Sequence, residues 1–234
     1  MKLIYNYEFN KDKCWYRSVC KRHNTSDCNA GCIRYIKFHY LVTMSLLSAK
    51  QQKPVQLMCP SKDKKAYERL YEIRDDIKQW VSDGGNLLLC SSITGNGKTT
   101  WAIKLLMNYF DEIWAYDSFT VRGLYINVAK LCVAEKENIG SNSDYLEHIK
   151  NNIRTADIII WDDIGIKSLT DFEHDYLYSY INDRILNGKA NIFTANGTPE
   201  ELQKILGDRL NSRVCLDSEI IVLKGNDMRG VIYD

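Results

Sequence analysis

No run of about 18 apolar residues occurs anywhere in this chain, so no bilayer-spanning helix is expected. The richest apolar stretches, residues 124–134 and 158–161, are short or interrupted. The first eight residues, MKLIYNYE, lack an apolar core followed by small residues, which argues against a secretory signal and for a cytoplasmic location. Proline is scarce, three residues in 234. Two of the three, Pro54 and Pro60, fall in one short stretch with Gln51 and Gln52, which marks a boundary near residue 55. There is little net charge, +1, and a hydrophobic fraction of 45% excludes disorder as the dominant state.

The neutral total hides an asymmetry. Residues 1–50 hold nine Lys or Arg against three Asp or Glu, a local +6, leaving 22 against 27 in the remainder, a local −5. A basic N-terminal segment (1–55) therefore precedes a mildly acidic body (56–234), and basic segments commonly meet phosphate or acidic protein surfaces, or simply form a solvated face. Lys62, Lys64 and Lys65 are candidate phosphate contacts or a solvated helix start.

Of the eight cysteines, Cys59, Cys90, Cys132 and Cys215 are scattered singly and read as small hydrophobes. Cys14, Cys20, Cys28 and Cys32 fall close together around His23, in a segment too polar to make a core of its own. A tetrahedral Zn2+ would supply the missing folding free energy. The expected ligands are the four cysteines, with His23 replacing Cys14 as the alternative and reduced thiols without metal as the simplest reading; the tight CxxC spacing is lacking. Residues 33–42 read as a helix with one apolar and aromatic face.

Residues 61–83 show helical spacing, with Tyr67, Leu70, Ile73, Ile77, Trp80 and Val81 three or four apart, and Asp83-Gly84-Gly85 ends the pattern. Residues 86–90 form a short apolar run suited to a buried parallel strand. Then come Ser92-Ile93-Thr94-Gly95-Asn96-Gly97-Lys98-Thr99-Thr100 and a helical pattern from Trp101. In such a strand, glycine loop and helix, backbone N–H groups around Thr94, Gly95, Asn96 and Gly97 wrap phosphate oxygens. The helix dipole favours negative charge, Lys98 neutralises the β and γ phosphates, and Thr99 ligates Mg2+, with Thr100 beside it. This resembles a Walker A motif with Ser92 in place of its first glycine. If that position needs a positive φ, serine costs about 1 kcal/mol.

A second apolar run, residues 158–161, ends in Asp162-Asp163 and resembles a Walker B motif. Asp162 is then the magnesium carboxylate and Asp163 the general base for the attacking water. A third apolar run, Asn191-Ile192-Phe193-Thr194-Ala195-Asn196, follows a helix over residues 171–186. Ligands in open α/β sheets sit beyond the carboxyl ends of the strands, so Asn196 is placed to sense a γ-phosphate, with Thr194 as runner-up. Thr198-Pro199 starts another helix, which leads to Arg209 and Arg213. Arg213 is the candidate for an arginine supplied to a neighbouring subunit's nucleotide.

The order of these motifs, closed by Lys224-Gly225-Asn226-Asp227-Met228-Arg229, resembles the DnaC/DnaI/IstB branch of AAA+ ATPases over residues 62 to about 232. The cysteine-rich start resembles DnaI-type and bacteriophage helicase loaders. The resemblance implies an α/β P-loop core with a central parallel sheet and no separate lid domain. Its cofactors would be ATP and Mg2+, with Zn2+ at the front, and it would work as an ATPase. The roles it implies are Lys98 and Thr99 on phosphate and Mg2+, Asp162 and Asp163 at metal and water, Asn196 as sensor, Arg213 as arginine finger and Arg229 as a second sensing arginine. The activity implied is loading a replicative hexameric helicase onto single-stranded DNA, with the protein self-associating on ATP binding and no membrane involved. Ser92 and Asp163, where such families usually carry glycine and glutamate, bear on turnover. The alternatives are an IstB-like transposition ATPase, a P-loop small-molecule kinase and a non-hydrolysing adaptor.

Overall fold

The computed structural model describes residues 5, 7–137, 143–166 and 168–228. Five strands form one parallel sheet: β1 (Asn86–Ser91), β2 (Gly123–Asn127), β3 (Ile158–Asp162), β4 (Ala190–Asn196) and β5 (Glu219–Val222), in the spatial order β2-β3-β4-β1-β5. The three central strands are continuous apolar runs because both faces of the sheet are covered by helices. The expected α/β class with a central parallel sheet is what the chain adopts.

One layer contains α2 (Lys64–Asp75), α3 (Ile77–Ser82) and α4 (Lys98–Ile113), packed on Leu87, Leu89, Ile158, Ile160 and Ile192. The other holds α5 (Val128–Glu137), α6 (Asp144–Asn152), α7 (Asp171–Leu186) and α8 (Pro199–Asn211), packed on Leu88, Cys90, Ile159, Trp161 and Phe193. This two-sided division follows from strand alternation, successive residues of β1 facing opposite layers. Residues 61–83, expected as one helix, break at Asp76, whose φ of −117° and ψ of 28° lie outside the helical range. Helices α7 and α8 start where the sequence indicates, each with a capping box, Thr170 with Glu173 and Thr198 with Glu201.

Helix α1 (Ile33–Met44) lies against α4, and Phe38, Leu41, Val42 and Leu47 share one apolar cluster with Leu105, Leu106, Tyr109 and Phe110. Tyr16 joins that cluster and donates its hydroxyl to Asp111 Oδ1 at 2.6 Å, under the Arg34 guanidinium stacked 3.5 Å from its ring centre. Tyr125 N–H, on the edge strand β2, donates to Ser45 O at 2.7 Å, so the chain just after α1 partly covers that edge.

The lower end of the sheet is tied by Arg184, 1% exposed. Its guanidinium donates to Ile153 O, Ala156 O, Ala190 O and Asn191 Oδ1 at 2.6–2.8 Å. Burial pushes its pKa down to about 9, which leaves it charged at neutral pH. Among the described residues, no helix is long and apolar enough to cross a membrane.

Candidate nucleotide-binding site

The loop between β1 and α4 is shaped by two glycines in the left-handed region, Gly95 at φ 73° and Gly97 at φ 100°. Gly97 caps α4, so the loop delivers its backbone to a helix N-terminus, where N–H groups lack intrahelical partners. A Cβ on Gly97 would sit 3.0 Å from Met228 Cε and 3.3 Å from Leu57 Cδ2, so the close approach of two other segments also requires glycine there. Ser92 does not adopt a positive φ, and the strain considered for serine at that position does not arise.

Asn96, fully buried, clips the loop down by donating to Ser91 Oγ at 2.6 Å and Leu223 O at 3.1 Å. Lys98 is 6% exposed and points its ammonium at the loop itself, donating to Ile93 O at 3.0 Å and Asn96 Oδ1 at 3.3 Å. Thr94 is exposed on the loop, and Thr100 is half-buried in the first turn of α4. Thr99 donates its hydroxyl to Asp162 Oδ1 at 2.7 Å, across a separation of 63 residues.

Asp162, at the end of β3 and 3% exposed, is the hub. Its Oδ1 also accepts from Thr194 Oγ1 at 2.8 Å, and its Oδ2 accepts from the Tyr125 hydroxyl at 2.5 Å. Strands β2 and β4 and the first turn of α4 thus supply one buried carboxylate with three hydroxyl donors. Burial, with the neighbouring Asp162 charge, holds the Tyr125 phenol well above its ordinary pKa, so it is a donor at physiological pH.

Asp163 stands one residue on, at φ 60°. Aspartate enters the left-handed region more easily than longer side chains, which gives a physical reason for a short carboxylate here. Its N–H donates to Thr194 Oγ1 at 3.0 Å, and its Oδ1 accepts from Asn196 Nδ2 at 3.2 Å. Burial, reinforced by Asp162 and opposed by Lys98 and Asn196, raises its pKa above the ordinary carboxylate value. A carboxylate made more basic in this way is suited to taking a proton from water.

The structure therefore brings Lys98, Thr99, Asp162, Asp163 and Asn196 together beyond the carboxyl ends of β1, β3 and β4. Arg213 lies in a π-helical turn, Ser212–Leu216, and donates to Asp217 Oδ2 at 2.7 Å within its own chain. Arg229 lies outside the described residues. Four participants are assigned no part in the site from the sequence: Tyr125, in an interrupted apolar stretch, and Leu57, Tyr67 and Met228, which face Gly97 from distant segments. Thr194, second to Asn196 on the sequence argument, is the residue that joins both carboxylate positions. The C-terminal segment is held over the loop by Met228 N–H donating to Gly95 O at 3.0 Å. Asp63 reinforces this by accepting from the N–H groups of Lys224 and Gly225 at 2.6 and 2.9 Å.

Oxygen donors at Thr99 and Asp162 suit Mg2+, which prefers one or two carboxylates completed by phosphates and water. Zn2+ does not fit in the same way. Among the described residues no group of three or more His, Cys, Asp or Glu side chains could hold a metal ion. The Cys14 thiol is raised chiefly by burial, and also feels Cys32, Cys20 and Cys28. Zinc at the cysteine-rich start is therefore not supported by the described residues. The polar segment does not need to build its own core, because Tyr16, Cys14 and Cys20 pack on the core shared with α4.

No family model matches the chain. The replicative helicase loader DnaC of Escherichia coli strain K12 is 24% identical over 100 residues, a match spanning 43% of this chain and 41% of DnaC. The chain thus matches less than half the length of that relative. A crystal structure of DnaI superposes with a TM-score of 0.56 at 18% identity, covering 80% of this chain and 93% of DnaI. The replication initiator DnaA, bound to AMPPCP and single-stranded DNA, superposes with a TM-score of 0.54 at 19% identity, covering 72% of this chain and 49% of DnaA. The resemblance to the DnaC/DnaI branch of AAA+ proteins, read from motif order, is borne out by the sequence match and by the shared fold.

Proposed function

We propose that this chain is an ATP-dependent loader of a replicative hexameric helicase onto single-stranded DNA. The observation that carries the reading is the convergence of Thr99 and Thr194 on buried Asp162, next to a glycine loop opening a helix, in a fold shared with DnaC and DnaI. Magnesium, when bound, would supply positive charge against the phosphates. The chain's own residues do the rest. Backbone N–H groups of residues 95–99 hold the phosphates, and Lys98 exchanges its loop carbonyl for them. Asp162 and Thr99 would hold the metal, and Asp163 would take the proton of the attacking water while Asn196 orients Asp163.

Arg213, half-buried and hydrogen-bonded to the surface carboxylate of Asp217, is supplied to the neighbouring subunit's γ-phosphate on assembly. Arg229 contributes a second arginine to the same nucleotide. The basic N-terminal segment meets the helicase, and self-association on ATP creates the DNA-binding assembly. DnaA's complex with AMPPCP and single-stranded DNA supports the nucleotide and DNA parts of the reading as a property of that fold.

The test is co-purification with a replicative hexameric helicase, with ATP binding followed in parallel. Lys98→Ala is expected to abolish ATP binding and helicase loading. A wild-type chain that binds ATP but no replicative helicase would move the reading to transposition, and nucleotide-dependent phosphorylation of a nucleoside would move it to a kinase.

A further inference from the structure

Tyr125 has no place in the motifs that define the site, yet its hydroxyl occupies the second oxygen of the carboxylate on which Thr99 and Thr194 converge. Thr99 and Thr194 share Oδ1, so Tyr125 is the Oδ2 donor found among the described residues. Its register explains the reach. In β2 it lies opposite Ile160, two residues short of Asp162, and only a side chain as long as tyrosine bridges from that position on the neighbouring strand.

Tyr125 is also where the chain preceding the P-loop core touches the site. Its backbone N–H donates to Ser45 O at 2.7 Å, directly after α1. Gln51, in the turn that follows, acts on the phenol through its side chain, favouring the ionised form against burial and Asp162. The Gln51 carbonyl oxygen is already engaged by Ser48, whose N–H and hydroxyl donate to it at 3.0 and 2.7 Å. That leaves the Gln51 amide NH2 as the group turned toward Tyr125. Hydrogen bonds thus join Ser48 to Gln51 and Tyr125 to Asp162, with the Gln51 side chain acting electrostatically on the phenol between them.

We propose that Tyr125 is a positioning residue for Asp162, and that Gln51 couples it to residues 45–51, so that the segment after α1 sets the affinity of the site for magnesium-bound nucleotide. This deepens the nucleotide-binding reading and rests on it. When Thr99 turns to the metal, Thr194 and Tyr125 remain to fix the carboxylate plane. Anything that displaces residues 45–51, such as a partner seated on the N-terminal segment, reaches the metal position through one phenol.

The experiment titrates a fluorescent ATP analogue into the full chain in excess magnesium and again in EDTA. Tyr125→Phe is expected to weaken binding about tenfold in magnesium, the scale of one hydrogen bond to a charged group. Affinity in EDTA should be unchanged, a readout that a merely structural lesion would not spare. Gln51→Ala should shift the magnesium affinity the same way by about threefold, and the double variant should be no weaker than Tyr125→Phe alone, as expected for residues acting through one contact. Should Tyr125→Phe fold poorly, lowering affinity in EDTA as well, the Gln51→Ala result decides. Wild-type affinity in magnesium for Gln51→Ala and Tyr125→Phe, or tighter binding, overturns the proposal while leaving nucleotide binding intact. A wild-type chain that binds no nucleotide under either condition overturns the underlying reading instead.

Discussion

Replacing Thr194 by valine tests how the two carboxylate positions are held, because the substitution keeps the shape and deletes one atom's chemistry. The Thr194 side chain is fully buried; its hydroxyl donates to Asp162 Oδ1 at 2.8 Å and accepts from the Asp163 N–H at 3.0 Å. Valine removes a hydrogen bond to a charged group, which is worth about 1.5–3 kcal/mol, and strands a backbone N–H at about 1–3 kcal/mol. Asp162 Oδ1 keeps Thr99 as a donor, so the lower half of that range applies, about 3 kcal/mol. Serine keeps the hydroxyl and loses one methyl, about 1 kcal/mol. Urea unfolding followed by circular dichroism, with an m-value of about 2–3 kcal/mol/M, should then show a midpoint lower by about 1 M for Thr194→Val and by less than half that for Thr194→Ser. The ordering is the decisive point, since valine is closer to threonine in volume. If Thr194→Val is as stable as Thr194→Ser, the hydroxyl bridge is not holding the site and the reasoning fails.

Asp163→Asn is expected to bind ATP but not hydrolyse it. Because the folded-state pKa of Asp163 is raised, ionising it disfavours the native state, a cost absent below the unfolded value near 3.8 and growing as pH rises through the folded pKa. The stability of Asp163→Asn relative to wild type should therefore increase over that interval, and urea titrations showing the opposite slope would contradict the burial argument. Arg184→Met takes one donor from each of the Ile153, Ala156 and Ala190 carbonyls, while the Asn191 amide oxygen keeps Trp161 Nε1 as a donor, and should lower stability by about 3–5 kcal/mol; a loss under about 1 kcal/mol in the same assay would be incompatible with the contacts described. Gly97→Ala must adopt φ 100° and meet Met228 Cε at 3.0 Å, so it should reduce ATP affinity at least tenfold with the far-ultraviolet spectrum retained; unaltered affinity would show that the loop does not require that conformation.

Several elements are legible in the amino-acid pattern. Helix α7 spans Asp171–Leu186, the limits its periodicity indicates, because Thr170 and Glu173 form a capping box that acts within four residues. Strands β1, β3 and β4 stand out as apolar runs because both faces are buried. Strand β5 does not: Glu219, Ile220 and Val222 are exposed, and an edge strand with a short mixed pattern does not differ from a loop in sequence. The break at Asp76 is also hidden, since the apolar spacing of α2 continues in phase into α3 and only the backbone angle reveals the interruption. The spacing of Cys14, Cys20, Cys28 and Cys32 does not reveal that Tyr16, Cys14 and Cys20 pack on the core shared with α4, because spacing along a chain does not say whether a polar segment stands alone.

The amino-acid order by itself determined the local hardware: a glycine loop that only glycines can turn, a helix N-terminus behind it, and two aspartates at the end of an apolar strand. Each of these depends on backbone sterics and short-range hydrogen bonds, which neighbouring residues settle among themselves. Only the tertiary structure decided that Thr99, Thr194 and Tyr125 meet at one oxygen pair, that Met228 and Leu57 close over Gly97, and that the segment after α1 reaches the Asp162 carboxylate through Tyr125. Those contacts join residues at least 32 positions apart, and their partners are chosen by sheet order and the covering of its edges, which no local pattern encodes.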